Sequence, residues 1–488
     1  MRLCELFNGI QVINSNTNLE CEVAYITNDH RKVRQNYIFV AIKGQNRNGA
    51  DYISLALEKG AVAIVTQEKD SCDGKIPYIL VDNVRSTIAK MWSNYYDNPA
   101  KDITTVAITG TNGKTSSAYF LYSILQSSKI PCGLISTIEC LANGEKIYRT
   151  NECSVSDINS AMTTPDPESL YSIYGAMRNR GVKIVVMEAS SHALEQNRLD
   201  GIEIEIGAFT NLTSEHMDYH KNIDDYFNAK EKLMKKSKLC VINADDEYGK
   251  LLAEKYSYKS VTFSLNNFAD FYANECKVNL EGCRYSLNHK NQSIRITTKT
   301  LGNFNIYNSM LAASCAKLLG IDNKYIKQGI EEINQIKGRL ERYKNKNIYI
   351  DYAHTPDAMR KVIMLFKEIE PQKKLTVLFG CGGERDREKR SEMGNLSTTL
   401  ADFTVITSDN SRGEDPKEII ADILKGVLPN RKYTVIVNRE EAIKYIAKKL
   451  KKDEILLLLG KGHEAYEITS SGKKHFDERE VLDEVFQN

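Results

Sequence analysis

The sequence predicts an α/β fold in three domains, the central one a parallel sheet flanked by helices and the last of Rossmann type. Three observations carry this. The chain has 488 residues, which at roughly 150 residues per domain gives about three domains. Apolar, β-branched runs alternate with helical stretches through most of its length, the pattern of a parallel sheet covered by helices. A glycine-rich turn at residues 110–113 follows one such run and opens a helix.

Composition excludes several classes. Hydrophobic content of 42% and charged content of 27% are those of an ordinary globular protein. A net charge of +2 gives no overall attraction to nucleic acid or to an anionic membrane, so neither is expected as a partner. The lysine-rich runs at 232–238 and 448–452 read as solvated helix faces. Eleven scattered cysteines without a C-x-x-C pair argue against a disulfide framework and a zinc knuckle, and suit a reducing cytosol. The first residues, Met1-Arg-Leu-Cys-Glu-Leu-Phe-Asn-Gly, break too early for a secretory signal. No apolar stretch approaches the ~20 residues of a membrane span.

The first domain, residues 1–98, has strand candidates at 38–42, 61–66 and 78–81 and a helical stretch at 52–59. The second, 99–335, opens with the strand 103–109 and continues with 184–187, 208–210 and 239–242. The third, 336–488, has strands at 348–350, 375–379, 403–407, 433–437 and 455–459, separated by helical stretches. Several strands end in polar residues: Glu188, Asn211, Asn243, Asp351, Ser408-Asp409 and Gly460-Lys461. In open α/β sheets ligands bind at the carboxyl ends of strands, so chemistry is expected there.

Thr109-Gly-Thr-Asn-Gly-Lys-Thr115 lies between a strand and the helical stretch 116–126. Glycines let the backbone approach phosphates, and the helix N-terminus offers unpaired N–H groups and a positive dipole. Gly110, Thr111, Asn112 and Gly113 would form the cradle. Lys114 would reach the β- and γ-phosphates and the Thr115 hydroxyl would ligate Mg²⁺. The common phosphate loop has a glycine where this chain has Ile108, so this loop is a shortened one.

This loop resembles that of the superfamily of Mur ligases and folylpolyglutamate synthases. Met187-Glu-Ala-Ser-Ser-His192, Thr213-Ser-Glu-His-Met-Asp-Tyr-His220, Gly338-Arg-Leu-Glu341 and Asp351-Tyr-Ala-His-Thr-Pro-Asp357 are similar to Mur ligase motifs. Thr163-Thr-Pro-Asp166, Gly380-Cys-Gly-Gly-Glu-Arg-Asp386 and Gly460-Lys-Gly-His-Glu464 narrow the resemblance to the MurE type, which adds the third amino acid to UDP-N-acetylmuramoyl-L-alanyl-D-glutamate. The match runs in order from about residue 25 to residue 466. It implies a three-domain Mur ligase architecture: an N-terminal UDP-binding domain, a central ATPase domain of phosphate-loop type and a C-terminal Rossmann-like domain that binds the incoming amino acid. It also implies a cytoplasmic monomer acting on small molecules, with ATP and Mg²⁺.

The resemblance assigns roles to individual residues. Lys114, Glu188, His216 and Lys230 would be the catalytic set. Thr115, Glu188 and His216 would hold Mg²⁺ together with Lys230 as its N-carboxylated (carbamate) form. On the residues alone His216 is an ordinary polar histidine and Lys230 a solvated helix lysine. Asn305 and Asn308 would hold the adenine side of ATP, while Arg339 and Asp351 would belong to the C-terminal domain as it closes over the nucleotide. Thr163, Thr164, Ser190, Gln196 and Arg198 would grip the muramoyl dipeptide. Diaminopimelate would lie against Arg385, Asp409, Asn410, Ser411, Arg412, Gly460 and Glu464.

The candidate amino acids are meso-diaminopimelate and L-lysine. Only the former has a distal carboxylate, which a guanidinium fork binds in bidentate fashion. The diaminopimelate-adding type carries Asp-Asn-Pro-Arg where this chain has Asp409-Asn-Ser-Arg412. Arg412 is kept, and lysine would leave it unpaired beside an ammonium, so diaminopimelate is expected. Ser411 departs from the pattern, because proline fixes φ and serine does not. The UDP site departs too: Asp29-His30-Arg31 stands for Asp-Ser-Arg, and Asn48-Gly49 for Asp-Gly. His30 would therefore sit in the uridine grip, or mark a paralogue with another nucleotide-sugar substrate. A folylpolyglutamate synthase and a non-catalytic nucleotide-binding protein are the competing readings. The motifs at 163–166 and 460–464 oppose the first. Retention of Lys114, Glu188, His216 and Lys230 opposes the second.

Overall fold

The computed structural model describes residues 1–44, 47–69, 76–147, 162–266 and 268–487. The chain gathers into two compact units. One comprises Met1–Thr109, Ile130–Gly207 and Ala229–Leu239; the other Gly110–Lys129, Ala208–Asn228 and Cys240–Asn488.

The first unit begins with a five-stranded sheet in the order Asn14–Ser15, Tyr78–Leu80, Ala61–Thr66, Tyr37–Val40, Tyr25–Thr27. All neighbours are parallel except the edge pair Asn14–Ser15 and Tyr78–Leu80. Phe39, Ala61 and Ile64 pack with Val33, Ile53 and Ala56 into one core. The same unit holds a second parallel set, in which Ile184–Glu188 lies between Thr104–Thr109 and Cys132–Ile135. These are nearly continuous apolar runs, as strands covered on both faces require. Glu188 stands opposite Ile108 in this ladder, so the carboxylate sits at the carboxyl end of the set.

In the second unit, helix Lys114–Ser127 packs against helices Asn303–Leu318 and Asn323–Glu332. Cys240–Asn243 pairs in parallel with Ser260–Phe263, and an antiparallel meander follows: Phe271–Asn279, Gly282–His289 and Gln292–Thr298. The sequence reading placed no strand in that meander. Its first strand is exposed or half-exposed from Glu275 onward, so it lacks the apolar run that marks a doubly covered strand.

The C-terminal sheet has six strands in the order Glu341–Arg342, Ile348–Asp351, Glu454–Leu459, Lys374–Phe379, Phe403–Ile406, Tyr433–Val435. The last five run parallel. Alternation along the strands splits them between two cores. Tyr349, Leu375, Val377, Phe379, Leu457 and Leu459 face helices Pro356–Ile369, Glu388–Leu400 and Pro416–Leu424. Ile348, Ile350, Leu378, Val405, Leu456 and Leu458 face helices Arg439–Lys449 and Glu478–Phe486. A period of two with both phases apolar is the signature of a doubly wound sheet, and here it matches the Rossmann-type expectation. Among the described residues, no helix is long and apolar enough to cross a membrane.

Candidate active site

The glycine-rich loop is held from below by the strand end next to it. Thr111 N–H donates to the Asn211 carbonyl at 2.8 Å, and Asn112 N–H to Asn211 Oδ1 at 3.0 Å. The Thr210 hydroxyl and Asn211 Nδ2 both donate to the Asn112 carbonyl, at 2.7 and 3.1 Å. Gly113 is the N-cap of helix Lys114–Ser127, with φ +88°. A Cβ there would lie 2.3 Å from Asn308 Oδ1, so both conformation and space demand glycine. Asn308 donates to Asn305 Oδ1 at 3.0 Å and accepts from Ser117, while Asn305 donates to the Leu301 carbonyl. The two asparagines are buried and brace the loop against its neighbouring helix. Lys114 Nζ folds over the loop, donating to the carbonyls of Gly110 and Thr111 at 2.8 Å each.

Residues distant in sequence converge on this loop within the second unit. Arg339 Nη2 donates to Thr115 Oγ1 at 3.1 Å, and its guanidinium lies 4.8 Å from the centre of the Tyr352 ring. Asp351 does not reach outward: its oxygens accept from Leu340 N–H at 2.6 Å and Ala353 N–H at 2.8 Å. It thereby fixes the turn that presents Arg339. Burial raises the Asp351 carboxyl above the usual range, with Arg339 opposing. Asn112 Nδ2 donates to Asp357 at 3.2 Å. Glu215, which the sequence reading quoted within a motif but gave no role, meets His354 Nε2 at 3.2 Å and His216 Nε2 at 3.9 Å. Burial alone would raise its carboxyl, yet His216, His354 and Lys114 outweigh burial and hold it below the usual range. His216 itself has φ +61°, a left-handed conformation uncommon for a non-glycine residue and one that concentrates at functional sites.

The expected dipeptide grip lies in the first unit, and most of it is one hydrogen-bonded cluster. The Glu188 carboxylate is fully buried and accepts from Thr137 N–H at 2.8 Å and the Thr137 hydroxyl at 3.1 Å. Thr164 Oγ1 donates to the Glu188 carbonyl at 2.8 Å and accepts from Ser190 N–H at 2.9 Å. Ser190 caps the short helix Ser191–Glu195 through Ala193 N–H. Arg198 places Nε and Nη2 on Gln196 Oε1, at 3.1 and 2.8 Å, and Nη1 on the Thr164 carbonyl at 2.8 Å. Thr163 is half-buried beside this cluster in sequence. Lys230 lies on helix Ile223–Lys236 and is 1% exposed. The solvated helix lysine that its sequence suggests is therefore excluded.

In the N-terminal sheet region His30 stacks on Tyr52, ring centres 4.1 Å apart and planes within 6°. Arg31 clasps Asp29 at 2.8 Å, and this hydrogen bond holds the Asp29 carboxyl down at about 2. Asn48 accepts from Ala50 N–H and donates to Glu68 at 3.1 Å. An aspartate at 48 would face the Glu68 carboxylate with like charge.

The C-terminal strand ends carry groups of both signs. Asn410 is the hub: its Oδ1 accepts from Lys461 Nζ at 3.0 Å and Ile468 N–H at 2.9 Å, and its Nδ2 donates to Glu464 at 2.8 Å. Lys461 is fully buried and lies 3.6 Å from Asp409. Burial would raise the Asp409 carboxyl, but Lys461 and the buried Arg439 bring it below the usual range, whereas burial and Asp409 push Glu464 up. Gly460 has φ +111° and lies against Asp409. Ser411 is buried. Arg412 donates Nη1 to the carbonyls of Gly383 at 2.8 Å and Asn410 at 3.2 Å. Arg385 is exposed. A Cβ on Gly382 would come 3.0 Å from Arg412 Nη1 and 3.8 Å from Arg385 Cγ, so the two arginines flank that glycine. Sequence reasoning gave no role to Lys461, Arg439, Arg390 or Glu414. Buried charge marks the first three and the pairing with Arg390 marks Glu414, and neither is visible without the fold.

Three family models match successive segments: "Mur ligase family, catalytic domain" over residues 22–102, "Mur ligase middle domain" over 108–316, and "Mur ligase, glutamate ligase domain" over 338–462. A UDP-N-acetylmuramoyl-L-alanyl-D-glutamate–2,6-diaminopimelate ligase of Caldanaerobacter subterraneus subsp. tengcongensis is 38% identical over 491 residues, covering 99% of each chain. A solved structure with that enzyme name matches with a TM-score of 0.69 at 27% identity, over 100% of this chain and 99% of the other. A MurF ligase of Thermotoga maritima, solved in complex with ADP, shares the fold with a TM-score of 0.58 at 17% identity, over 95% of this chain and 97% of the other. The architecture is accordingly the three-domain one, and the chain belongs to the Mur ligase family.

Proposed function

We propose that this chain is an ATP-dependent ligase that adds meso-2,6-diaminopimelate to the D-Glu γ-carboxylate of UDP-N-acetylmuramoyl-L-alanyl-D-glutamate, working in the cytoplasm as a monomer in peptidoglycan precursor synthesis. One observation carries the choice of amino acid. Arg412 spends Nη1 on backbone carbonyls, while its Nε and Nη2 make no hydrogen bond to any described residue. A half-buried guanidinium in that state suits a carboxylate ligand. Asp409 and Glu464, which share Lys461 across the Asn410 hub, would add acceptor oxygens for a second ammonium. A diamino acid with a distal carboxylate satisfies both; L-lysine satisfies only the acids. Relatives spanning nearly the whole chain at 35–38% identity and bearing the diaminopimelate ligase name support the same choice.

In the proposed reaction a γ-carboxylate oxygen attacks the ATP γ-phosphorus and ADP leaves, giving an acyl phosphate. The amine then attacks the acyl carbon, phosphate leaves and the nitrogen loses a proton. The loop 110–113 and Lys114 would cradle the phosphates, Arg339 would approach from the Thr115 side, and the brace of Asn305 and Asn308 would lie beneath. Mg²⁺ would neutralise charge on the transferring group. Among the described residues no group of three or more His, Cys, Asp or Glu forms a ready-made cluster. A Mg²⁺ bound together with ATP would take most ligands from phosphate and water and few from protein. Thr115, Glu188 and His216 would supply those few, with Lys230 as a carbamate. An uncharged or anionic form would lessen the burden of a cation buried at that position.

Phosphate release from ATP and Mg²⁺ with the UDP-dipeptide, comparing meso-diaminopimelate with L-lysine, tests the proposal. Stimulation by diaminopimelate alone is expected. Stimulation by lysine alone would keep the ligase and remove the arginine argument. Silence with both would point to a different nucleotide-sugar substrate. His30→Ser is expected to retain turnover, with its effect confined to the KM for the UDP substrate, because the lost stack on Tyr52 contributes about 1 kcal/mol. An inactive His30→Ser enzyme would show that the histidine has become essential.

A further inference from the structure

Arg385 and Arg412 stand on separate loops, 380–387 and 408–414, the second anchored at Asn410 by Lys461 and Ile468 N–H. Ser411 lacks the φ restriction of proline, and Arg412 has φ +52°. The two loops are joined by an ion pair between a buried arginine and a half-buried glutamate. Arg390, at the start of helix Glu388–Leu400, has a side chain with no exposure. It grips Glu414 in bidentate fashion, Nη1 to Oε2 and Nη2 to Oε1, both at 2.9 Å. The same guanidinium reaches the Gly382 carbonyl at 3.3 Å and Asp422 at 3.0 Å. Glu414 in turn accepts from Glu384 N–H and from Arg387 at 3.0 Å, so a carboxylate on the second loop ties down two points of the first and the start of the helix that follows it. The backbone closes the other side: Gly383 N–H donates to the Asn410 carbonyl at 2.9 Å, while Glu414 N–H turns back within its own loop to the Ser411 carbonyl at 3.0 Å. A Cβ on Gly383 would come 2.0 Å from the Ser411 oxygen.

We propose that Arg390 and Glu414 are positioning residues that set selectivity for a diamino acid with a distal carboxylate, by fixing the distance between the Arg385 and Arg412 loops. The inference rests on the proposed function and deepens it. Glu414 spends both carboxylate oxygens and Arg390 both Nη atoms on protein partners, and the pair would act through the two loops. The pair takes over the restraint that proline would supply at 411. It stays charged at working pH, since the hydrogen bond from Arg390 holds the Glu414 carboxyl at about 2.

The test uses the full chain with saturating ATP and UDP-dipeptide. Glu414→Gln is expected to raise the KM for meso-diaminopimelate about tenfold, because a contact that orients substrate and transition state alike acts on KM. kcat and the KM for ATP should stay within about twofold, and preference for diaminopimelate over L-lysine should fall. Glu414→Asp, which keeps the charge on a shorter arm, carries the same test should the amide variant not fold. Arg390→Lys, which loses the bidentate fork, should move the same KM. If the variants lose melting temperature and kcat while the KM for the diamino acid and the preference stay put, the pair is merely structural and the inference is overturned. Absence of diaminopimelate-dependent phosphate release in the unmodified chain would instead sink the proposed function itself.

Discussion

Lys114→Ala is expected to lower kcat at least about a thousandfold, equivalent to about 4 kcal/mol of transition-state stabilisation. Lys114 Nζ sits over the carbonyls of Gly110 and Thr111 at 2.8 Å, a pose that keeps its charge at the mouth of the loop. In the proposed reaction phosphates would occupy the cradle, and this cation would meet the charge that develops as the γ-phosphoryl group moves. Alanine removes the charge and leaves the loop intact, because Thr210 and Asn211 hold the backbone independently. The melting temperature should therefore change little. Arginine should not rescue, since a planar fork cannot replace a point charge folded over two carbonyls. Phosphate release measured alongside thermal unfolding checks this. Turnover that survived in a folded Lys114→Ala protein would place the phosphate site elsewhere.

The loop was legible because its signal is local: a buried strand, two glycines, a lysine and a helix within a dozen residues. The strand ends were legible for a related reason, since strands covered on both faces read as unbroken apolar runs whose polar stop is conspicuous. Glu188, Asp351 and Asp409 all stood out that way. The partners of these residues did not. Glu215 is coupled to His354 across 139 positions, and Arg390 to Glu414 across 24. In sequence each is one more charged residue in a chain that has 130 of them, 66 basic and 64 acidic. Lys230 shows the limit most plainly. Helix Ile223–Lys236 has two acids in its first turn and two lysines in its last, so every local rule makes Lys230 a surface residue. Only the packing of the whole helix buries it. The meander from Phe271 to Thr298 escaped for the opposite reason, as a sheet partly open to water has no apolar run to announce it.

Arg412→Ala is expected to raise the KM for meso-diaminopimelate at least about a hundredfold, near 2.7 kcal/mol, the upper part of the range for hydrogen bonds to charged groups. Selectivity turns on what the site does when no carboxylate pairs with Arg412. Its Nη1 is already satisfied by Gly383 and Asn410, so the guanidinium stays in place and the remaining face is preorganised for a carboxylate. Lysine as substrate would bring an ammonium toward that face without relieving it, and this repulsion is the basis of the expected selectivity. Removing the arginine should therefore do two separable things: weaken diaminopimelate, and weaken the rejection of L-lysine. Arg412→Lys keeps the charge but not the fork, and should fall between, with about a tenfold loss. A simple collapse of the loop would depress both substrates together and lower kcat. Measuring KM for both amino acids in both variants separates these cases. Equal losses for diaminopimelate and lysine would mean that Arg412 supports the loop and that the distal carboxylate is read by another group, with Arg385 on the facing loop, across Gly382, as the candidate.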